Sequence, residues 1–253
     1  MEERFTPKMF VDYFTSKQDH TIEDMGVKPI VVISWGIGVT RSLAKSVGAK
    51  LSDNWIYGER YPLFSGQVED NPVCFANVPV GAPGTVMFME AMIACGARFF
   101  LGLGWAGSLQ QKAPVGTFLI PTSCISEEGT SAHYVVSGEE LGPSKRLVKL
   151  IQETCQKRGH KAHFGPIWTT DAPYRELQTK IQSFRKKGIL GVDMETSAMY
   201  ALGQFRKVDI CNLLVVSDEL WHEWRPAFFS NELREGIRLA INIIRDCLVK
   251  ELK

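Results

Sequence analysis

Four apolar runs in this chain each stop at a glycine or at a short polar step. Pro29-Ile30-Val31-Val32-Ile33-Ser34 runs into Trp35-Gly36, Val73 to Val80 into Gly81, Arg98 to Leu103 into Gly104, and Asp209 to Val216 into Ser217-Asp218-Glu219. Near-continuous apolar runs of this length suit strands covered on both faces, as in a helix-flanked sheet. Gly116 to Pro121 and Phe164 to Thr170 read as further short strands. Helical segments fill the intervals: Val86 to Cys95, Ser144 to Arg158, Glu176 to Lys187 and Glu232 to Leu252. The last carries Leu233, Ile237, Ala240, Ile241, Ile244 and Leu248 on one stripe. The alternation predicts one α/β domain with a central mixed, mostly parallel sheet covered by helices. Residues 1–28 read as an N-terminal helical extension, with Thr6 as cap and Pro7 opening a helix over 6–16. Residues 29–253 read as the α/β domain. Ligands of such sheets bind beyond the carboxyl ends of the strands, which gathers Gly36, Gly104, Asp193 and Asp218.

Composition narrows the function classes. The chain has 253 residues and a net charge of +1, so its bulk charge points to neither nucleic acid nor an anionic membrane surface. Met1-Glu2-Glu3-Arg4 leads into no apolar core of the kind a signal peptide needs. The longest apolar region, Val78 to Gly107, is interrupted by Glu90, Arg98 and several Gly and Pro residues, and reads as core, not a membrane span. The six cysteines form no Cys-x-x-Cys. Reduced thiols in a cytoplasmic protein, with neither disulfide nor zinc, are the expectation.

The stretch Gly191-Val192-Asp193-Met194-Glu195-Thr196-Ser197 places two acids around a methionine at a strand-to-helix step. Acids at i and i+2 of extended chain point the same way, which suits a grip on two sugar hydroxyls with Met194 offering an apolar surface. The same residues suit a helix N-terminus, where Asp caps and the dipole favours negative charge. Ser217-Asp218 closes a buried strand. It reads either as a turn or cap, or as a general acid whose shielding from water raises its pKa. Gly102-Leu103-Gly104-Trp105-Ala106-Gly107 matches the dinucleotide pattern, but Pro114 and Gly116 leave no room for the helix that pattern must open. Its glycines fit close backbone packing, or close approach of a flat ring or sugar. Arg41, after a glycine turn, and Arg60 are candidate anion ligands or solvated surface arginines. His160 and His163 lack the neighbours that would complete a metal site. Trp221-His222-Glu223-Trp224-Arg225-Pro226 reads as a lid after Asp218, or as a loop packed by its own aromatics.

Taken together, these motifs resemble the nucleoside phosphorylase superfamily, which holds uridine phosphorylase, purine nucleoside phosphorylase and the methylthioadenosine nucleosidases. The resemblance runs from about Ile30 to the C-terminus. Val80-Gly81-Ala82-Pro83-Gly84-Thr85 with Glu90 is similar to the family's glycine-rich turn and helix, and Gly104-Trp105-Ala106-Gly107-Ser108-Leu109 to its central glycine loop. Val192-Asp193-Met194-Glu195 is similar to its ribose motif, and Val216-Ser217-Asp218 to the catalytic Ser-Asp of the purine-specific branch. Thr169 to Arg175 falls where the family contacts the base. The resemblance implies a nucleoside phosphorylase-like fold and phosphorolysis of a purine or uridine-like nucleoside to base and ribose 1-phosphate. It assigns Asp218 to catalysis, Asp193, Met194 and Glu195 to ribose, and Gly36, Arg41, Arg60 and Thr85 to phosphate. Trp105, Ala106, Gly107, Asp171, Tyr174 and Arg175 go to the base. Phosphate is the co-substrate, and no metal or organic cofactor is implied. A homo-oligomer, dimer or hexamer, is implied by an Arg60 that reaches a neighbour's site.

The chain departs from the family at the nucleophile. Its first turn is Gly36-Ile37-Gly38-Val39-Thr40-Arg41, without the family's Asp-Pro, and Gly102 and Trp105 replace an arginine and a threonine that hold phosphate. Each charge-assisted bond is worth about 1.5–3 kcal/mol. A nucleoside hydrolase and a non-catalytic nucleoside or nucleotide binder therefore stand as alternatives, although the turn from Trp35 to Arg41 also lacks the carboxylate with which the family's nucleosidases activate water.

Overall fold

The computed structural model describes residues 3–135 and 140–250. Its strands are β1 (Ile30–Ser34), β2 (Lys50–Leu51), β3 (Leu63–Val68), β4 (Asn71–Asn77), β5 (Phe99–Ser108), β6 (Phe118–Glu127), β7 (Ala162–Thr170), β8 (Gly191–Asp193), β9 (Asp209–Glu219) and β10 (Arg225–Pro226). Its α-helices are α1 (Pro7–Gln18), α2 (Ile37–Ser46), α3 (Ala82–Ala94), α4 (Lys145–Lys157), α5 (Gln178–Lys186), α6 (Thr196–Arg206) and α7 (Asn231–Val249). All strands join one mixed sheet in the order β10-β9-β6-β7-β8-β5-β1-β4-β3-β2. Parallel pairs run through the centre, with β1 between β4 and β5, and β5 beside β9. The β2–β3–β4 edge is antiparallel.

The double-sided burial expected of Ile30 to Ser34 is realised residue by residue. Ile30 and Val32 face one core with Leu43 of α2 and Ile243 and Ile244 of α7. Val31 and Ile33 face another with Met89 and Met92 of α3 and Met199 and Leu202 of α6. Alternate side chains of a strand point to opposite faces, so a strand lying between two helical layers must be apolar throughout. Thr6 caps α1 by accepting from Met9 N at 3.2 Å, and Ser230 caps α7 by accepting from Leu233 N at 3.1 Å. Arg206, in the last turn of α6, fixes that helix to α3 by a two-pronged pair with the buried Glu90 at 2.9 Å.

The sheet also closes on itself. β5 pairs with both β8 and β9, while β6 pairs with β7 and β9, and β7 with β8. Strands β5, β9, β6, β7 and β8 therefore form a ring. Closure explains where strand ends differ from the sequence expectation. β5 runs on through the glycine stretch to Ser108 because β9 continues beside it to Glu219, the register shifting between Ala106 and Gly107. β6 likewise passes Pro121 to Glu127 alongside β7. The helix expected from Val86 begins at Ala82, since Pro83 in a first turn blocks no intrahelical bond.

Candidate active site

A cavity of about 660 Å³ opens at the carboxyl ends of β1, β5 and β9, beside the step from β8 into α6. Ser34, Trp35 and Gly36 enter it from β1, Leu103 to Gly107 from β5, Val192 to Glu195 from β8, and Ser217 and Asp218 from β9. This is where an α/β sheet presents its ligand.

The two acids of the β8–α6 step have different tasks. Asp193 is buried and turned into the protein. Its Oδ1 accepts from Thr169 Oγ1 at 2.7 Å, and its Oδ2 accepts from Thr196 N at 3.0 Å and from Thr196 Oγ1. It thus holds Thr196, the first residue of α6, while Glu195 occupies the N-cap position. Burial pushes its pKa up, and the Thr196 and Thr169 donors oppose that rise. Glu195 instead accepts from Gly81 N at 2.6 Å, which ties the start of α3 to the start of α6. Gly81 has φ of +100° there, a backbone favouring glycine. Burial, then the neighbouring Asp193 charge, pushes the Glu195 carboxyl up. Met194 lines the cavity between them.

Behind this step lies a further buried carboxylate that the motifs did not announce. Glu128 accepts from Ser126, Ser131 and Ser197 hydroxyls and from Thr130 and Ser131 amides. Burial pushes its pKa up, but those hydrogen bonds outweigh it and hold the carboxyl below its usual value. Through Ser197 it steadies the first turn of α6.

Asp218 is held by two donors. Ser217 Oγ donates to its Oδ1 at 2.7 Å, and Trp224 Nε1 donates to its Oδ2 at 2.9 Å. The β9–β10 hairpin, which pairs Pro226 with Asp218, folds Trp224 back over the strand end. Glu176, just past the short helical turn Pro173–Arg175, lines the same cavity half-buried. Burial, and then the charge of Asp218, push its carboxyl up to about 7.

Trp35 sets the other wall. Its Nε1 donates to Thr85 Oγ1 at 2.8 Å, and Thr85 Oγ1 donates in turn to Pro79 O at 3.0 Å. The indole lies across β5. A Cβ at Gly104 would fall 2.6 Å from Trp35 Cζ3, and one at Gly102 would fall 2.1 Å from Asn212 Oδ1. Both glycines are therefore sites of close side-chain packing.

Of the residues singled out from sequence, Asp193, Met194, Glu195, Asp218, Gly36, Trp105, Ala106, Gly107 and Tyr174 line the cavity. Thr85 lies behind Trp35, fully buried. Arg41 is exposed on α2 beside the buried Thr40, and Arg60 is exposed over the Tyr61 ring at 5.7 Å. Asp171 accepts from Gly129 N at 3.0 Å, and Arg175 is exposed; neither lines the cavity. Among the described residues no Lys, Arg or His lines the cavity. The lining residues that sequence reasoning did not assign are chiefly Trp35, Glu176 and Phe228, while Trp224 comes from the aromatic stretch read as a lid. Among the described residues no cluster of three or more His, Cys, Asp or Glu is placed to hold a metal, and no helix is long and apolar enough to cross a membrane.

Comparison with known proteins gives this geometry a setting. A guanosine phosphorylase from Halorubrum lacusprofundi is 23% identical over 190 residues, covering 75% of this chain and 78% of that one. A DeoD-type purine nucleoside phosphorylase from Exiguobacterium sp. is 24% identical over 204 residues, covering 76% and 86%. The solved uridine phosphorylase of Vibrio fischeri superposes with a TM-score of 0.80 at 24% identity, covering 90% of this chain and 95% of that one. The purine nucleoside phosphorylase of Toxoplasma gondii, solved with immucillin-H, superposes with a TM-score of 0.82 at 21% identity, covering 89% and 92%. At these identities the superpositions establish the fold. The phosphorylase superfamily model matches residues 24–249, and the chain belongs to that superfamily.

Proposed function

We propose that this chain cleaves the N-glycosidic bond of a nucleoside, with phosphate as the attacking group, to give free base and ribose 1-phosphate. One observation carries the reading. A single cavity brings Met194 and Glu195, anchored on Gly81, together with Asp218, anchored on Ser217 and Trp224. Glu195 accepts hydroxyl protons of the sugar, Met194 packs against its ring, and Trp105, Ala106, Gly107 and Tyr174 border the base. Cleavage passes through an oxocarbenium-like state, which nearby carboxylates stabilise. The Asp218 carboxyl at the β9 end assists departure of the base, preferentially a purine. Phosphate is met by Gly36 and the first-turn amides of α2, which favour anions, together with Arg60 from a neighbouring copy of the chain. The relatives named guanosine phosphorylase and purine nucleoside phosphorylase support this assignment.

A specific observation favours hydrolysis as a second reading. Among the described residues no cationic side chain lines the cavity, and Trp35 occupies both the hydroxyl of Thr85 and the space over Gly104. The experiment measures base release from inosine, guanosine, adenosine and uridine with and without phosphate. Phosphorolysis requires release that rises with phosphate and yields ribose 1-phosphate. Release undiminished in phosphate-free buffer assigns the chain to hydrolysis, and tight binding without turnover across the panel assigns it to binding alone.

A further inference from the structure

Two carboxyl groups at the base-bordering part of the cavity differ in how they are held. Both oxygens of Asp218 already accept, from Ser217 Oγ at 2.7 Å and Trp224 Nε1 at 2.9 Å. Glu176 lines the same cavity half-buried, and no hydrogen bond to its carboxyl is found among the described residues. A carboxyl partly removed from water, beside a like charge and without donors, keeps its proton. A carboxyl that accepts two donors is arranged to receive hydrogen bonds.

From this asymmetry we infer that Glu176 is the proton donor to the departing base, and that Asp218 is the partner that keeps the proton on it. The inference rests on the reading of the chain as a nucleoside-cleaving enzyme. As the bond from C1′ to the base nitrogen breaks, its electron pair passes into the base. The Glu176 O–H bond breaks and a new N–H bond forms on the base ring. The nucleophile, phosphate or water, bonds to C1′ and sheds one proton, which restores Glu176, so a turnover consumes no net proton. A shift of the Glu176 carboxyl to about 7 matches a donor working near neutrality. Among the described residues, the other ionisable residues lining the cavity are Glu195, Asp218, Tyr174 and Asp193, whose carboxyl turns into the protein. The cations flanking Glu176 on its own segment are Arg175, which is exposed, and Lys180, which pairs with Glu127 at 2.8 Å. On the facing hairpin Arg225 pairs with Glu219 at 3.0 Å.

The test compares the full chain with its Glu176→Gln and Asp218→Asn variants on inosine, guanosine and 7-methylguanosine, with phosphate present. The base of 7-methylguanosine is already cationic and leaves without accepting a proton. Glu176→Gln is expected to lose at least thirtyfold, on the order of 2 kcal/mol, in kcat on inosine and guanosine, with a loss at least tenfold smaller on 7-methylguanosine. The kcat of the unaltered chain is expected to fall as pH rises through about 7. That limb is absent in Glu176→Gln and moves to lower pH in Asp218→Asn, which removes a neighbouring negative charge. Equal losses on all three substrates, or an unchanged limb in Glu176→Gln, overturn the inference while leaving nucleoside cleavage standing. Absence of turnover by the unaltered chain on every substrate overturns the parent reading, and this inference with it.

Discussion

The indole N–H of Trp35 donates to the hydroxyl of Thr85 at 2.8 Å, joining the end of β1 to the first turn of α3. The bond turns a hydroxyl at a glycine-rich turn away from ligand and toward protein. Trp35→Phe keeps a ring in place and removes the donor. A loss of about 1 kcal/mol is expected, roughly 2–4 °C in melting temperature for a chain of this size. Trp35→Ala uncovers Gly104 and frees Thr85. Inorganic phosphate is expected to raise the melting temperature of Trp35→Ala more than that of the unaltered chain, and equal increments would remove Trp35 as the obstacle to the anion.

Gly104 gives a steric version of the same relationship. A methyl group there meets Trp35 at 2.6 Å and Leu214 at 3.1 Å. Gly104→Ala is expected to destabilise by about 1–3 kcal/mol, the usual cost of overpacking. Denaturant titration of Trp35→Ala, Gly104→Ala and the double variant checks the cause. The double variant should lose less than the sum of the singles by about 1 kcal/mol or more, since the clash needs both partners.

Arg206 holds Glu90, which is buried in α3, through Nε and Nη2. Arg206→Met leaves that carboxylate between α3 and α6 without its cation, with the Tyr134 hydroxyl as a remaining partner. The expected cost is about 2–4 kcal/mol, somewhat below the roughly 3–5 kcal/mol for breaking a fully buried pair by removing one partner, because Arg206 is partly exposed. Urea unfolding reads it directly. Glu90→Gln in the same background should recover part of the loss, and an unaltered midpoint in Arg206→Met would show the pair to be energetically idle.

Glu176 predicts a pH dependence of stability that needs no substrate. In the unfolded chain its carboxyl titrates at the ordinary value of 4.5, and burial in the folded chain pushes it up to about 7. Between these values the folded state holds the proton and the unfolded state releases it. The contribution is therefore complete below pH 4.5 and is lost as pH rises through about 7. Glu176→Gln carries no charge at any pH. It is expected to melt with the unaltered chain near pH 4 and above it at pH 8. Identical melting curves at both pH values would place the Glu176 carboxyl in water.

Asp218→Asn is expected to lower turnover on purine nucleosides at least tenfold, about 1.4 kcal/mol in the barrier. Trp224→Phe removes one of the two donors to Asp218 and should lower turnover less, by roughly twofold to tenfold, from the net value of one hydrogen bond. An undiminished rate in Asp218→Asn would take that carboxyl out of the chemistry.

The sequence made the layered architecture readable because β1 carries apolar residues on both faces and α7 carries them on one stripe. Ring closure was not readable. It depends on the three residues of β8 and on strand ends that pair only when the partner arrives. Asp193, Met194, Glu195 and Asp218 could be found because each sits at a strand end, a position topology assigns to ligands. Trp35 left only an indirect trace, glycines at i and i+2 of β5 whose missing side chains open one face. Glu176 left none, since a single acid after Arg175 looks like any solvated residue. Arg41 reads as an anion ligand from its glycine turn, yet the inward side chain on that turn of α2 is Thr40. Side-chain direction on a helix depends on packing, which an isolated motif does not carry.

The ring of strands has a consequence for the order in which the protein acquires its site. β5, ending at Ser108, closes against β9, which begins only at Asp209. Pairings between segments so distant in sequence form slowly, because a long loop must close before any contact compensates. On the ribosome, β1, β4 and β5 can associate while the C-terminal third of the chain is still unmade. Asp218 and Trp224 cannot reach the cavity until β9 docks. Gly81 thus belongs to an early-made part of the molecule, and Glu195 and Asp218 to late ones, so a truncation within β9 that ends before Asp218 removes Asp218 and Trp224 from the cavity and α7 from the core beside β1.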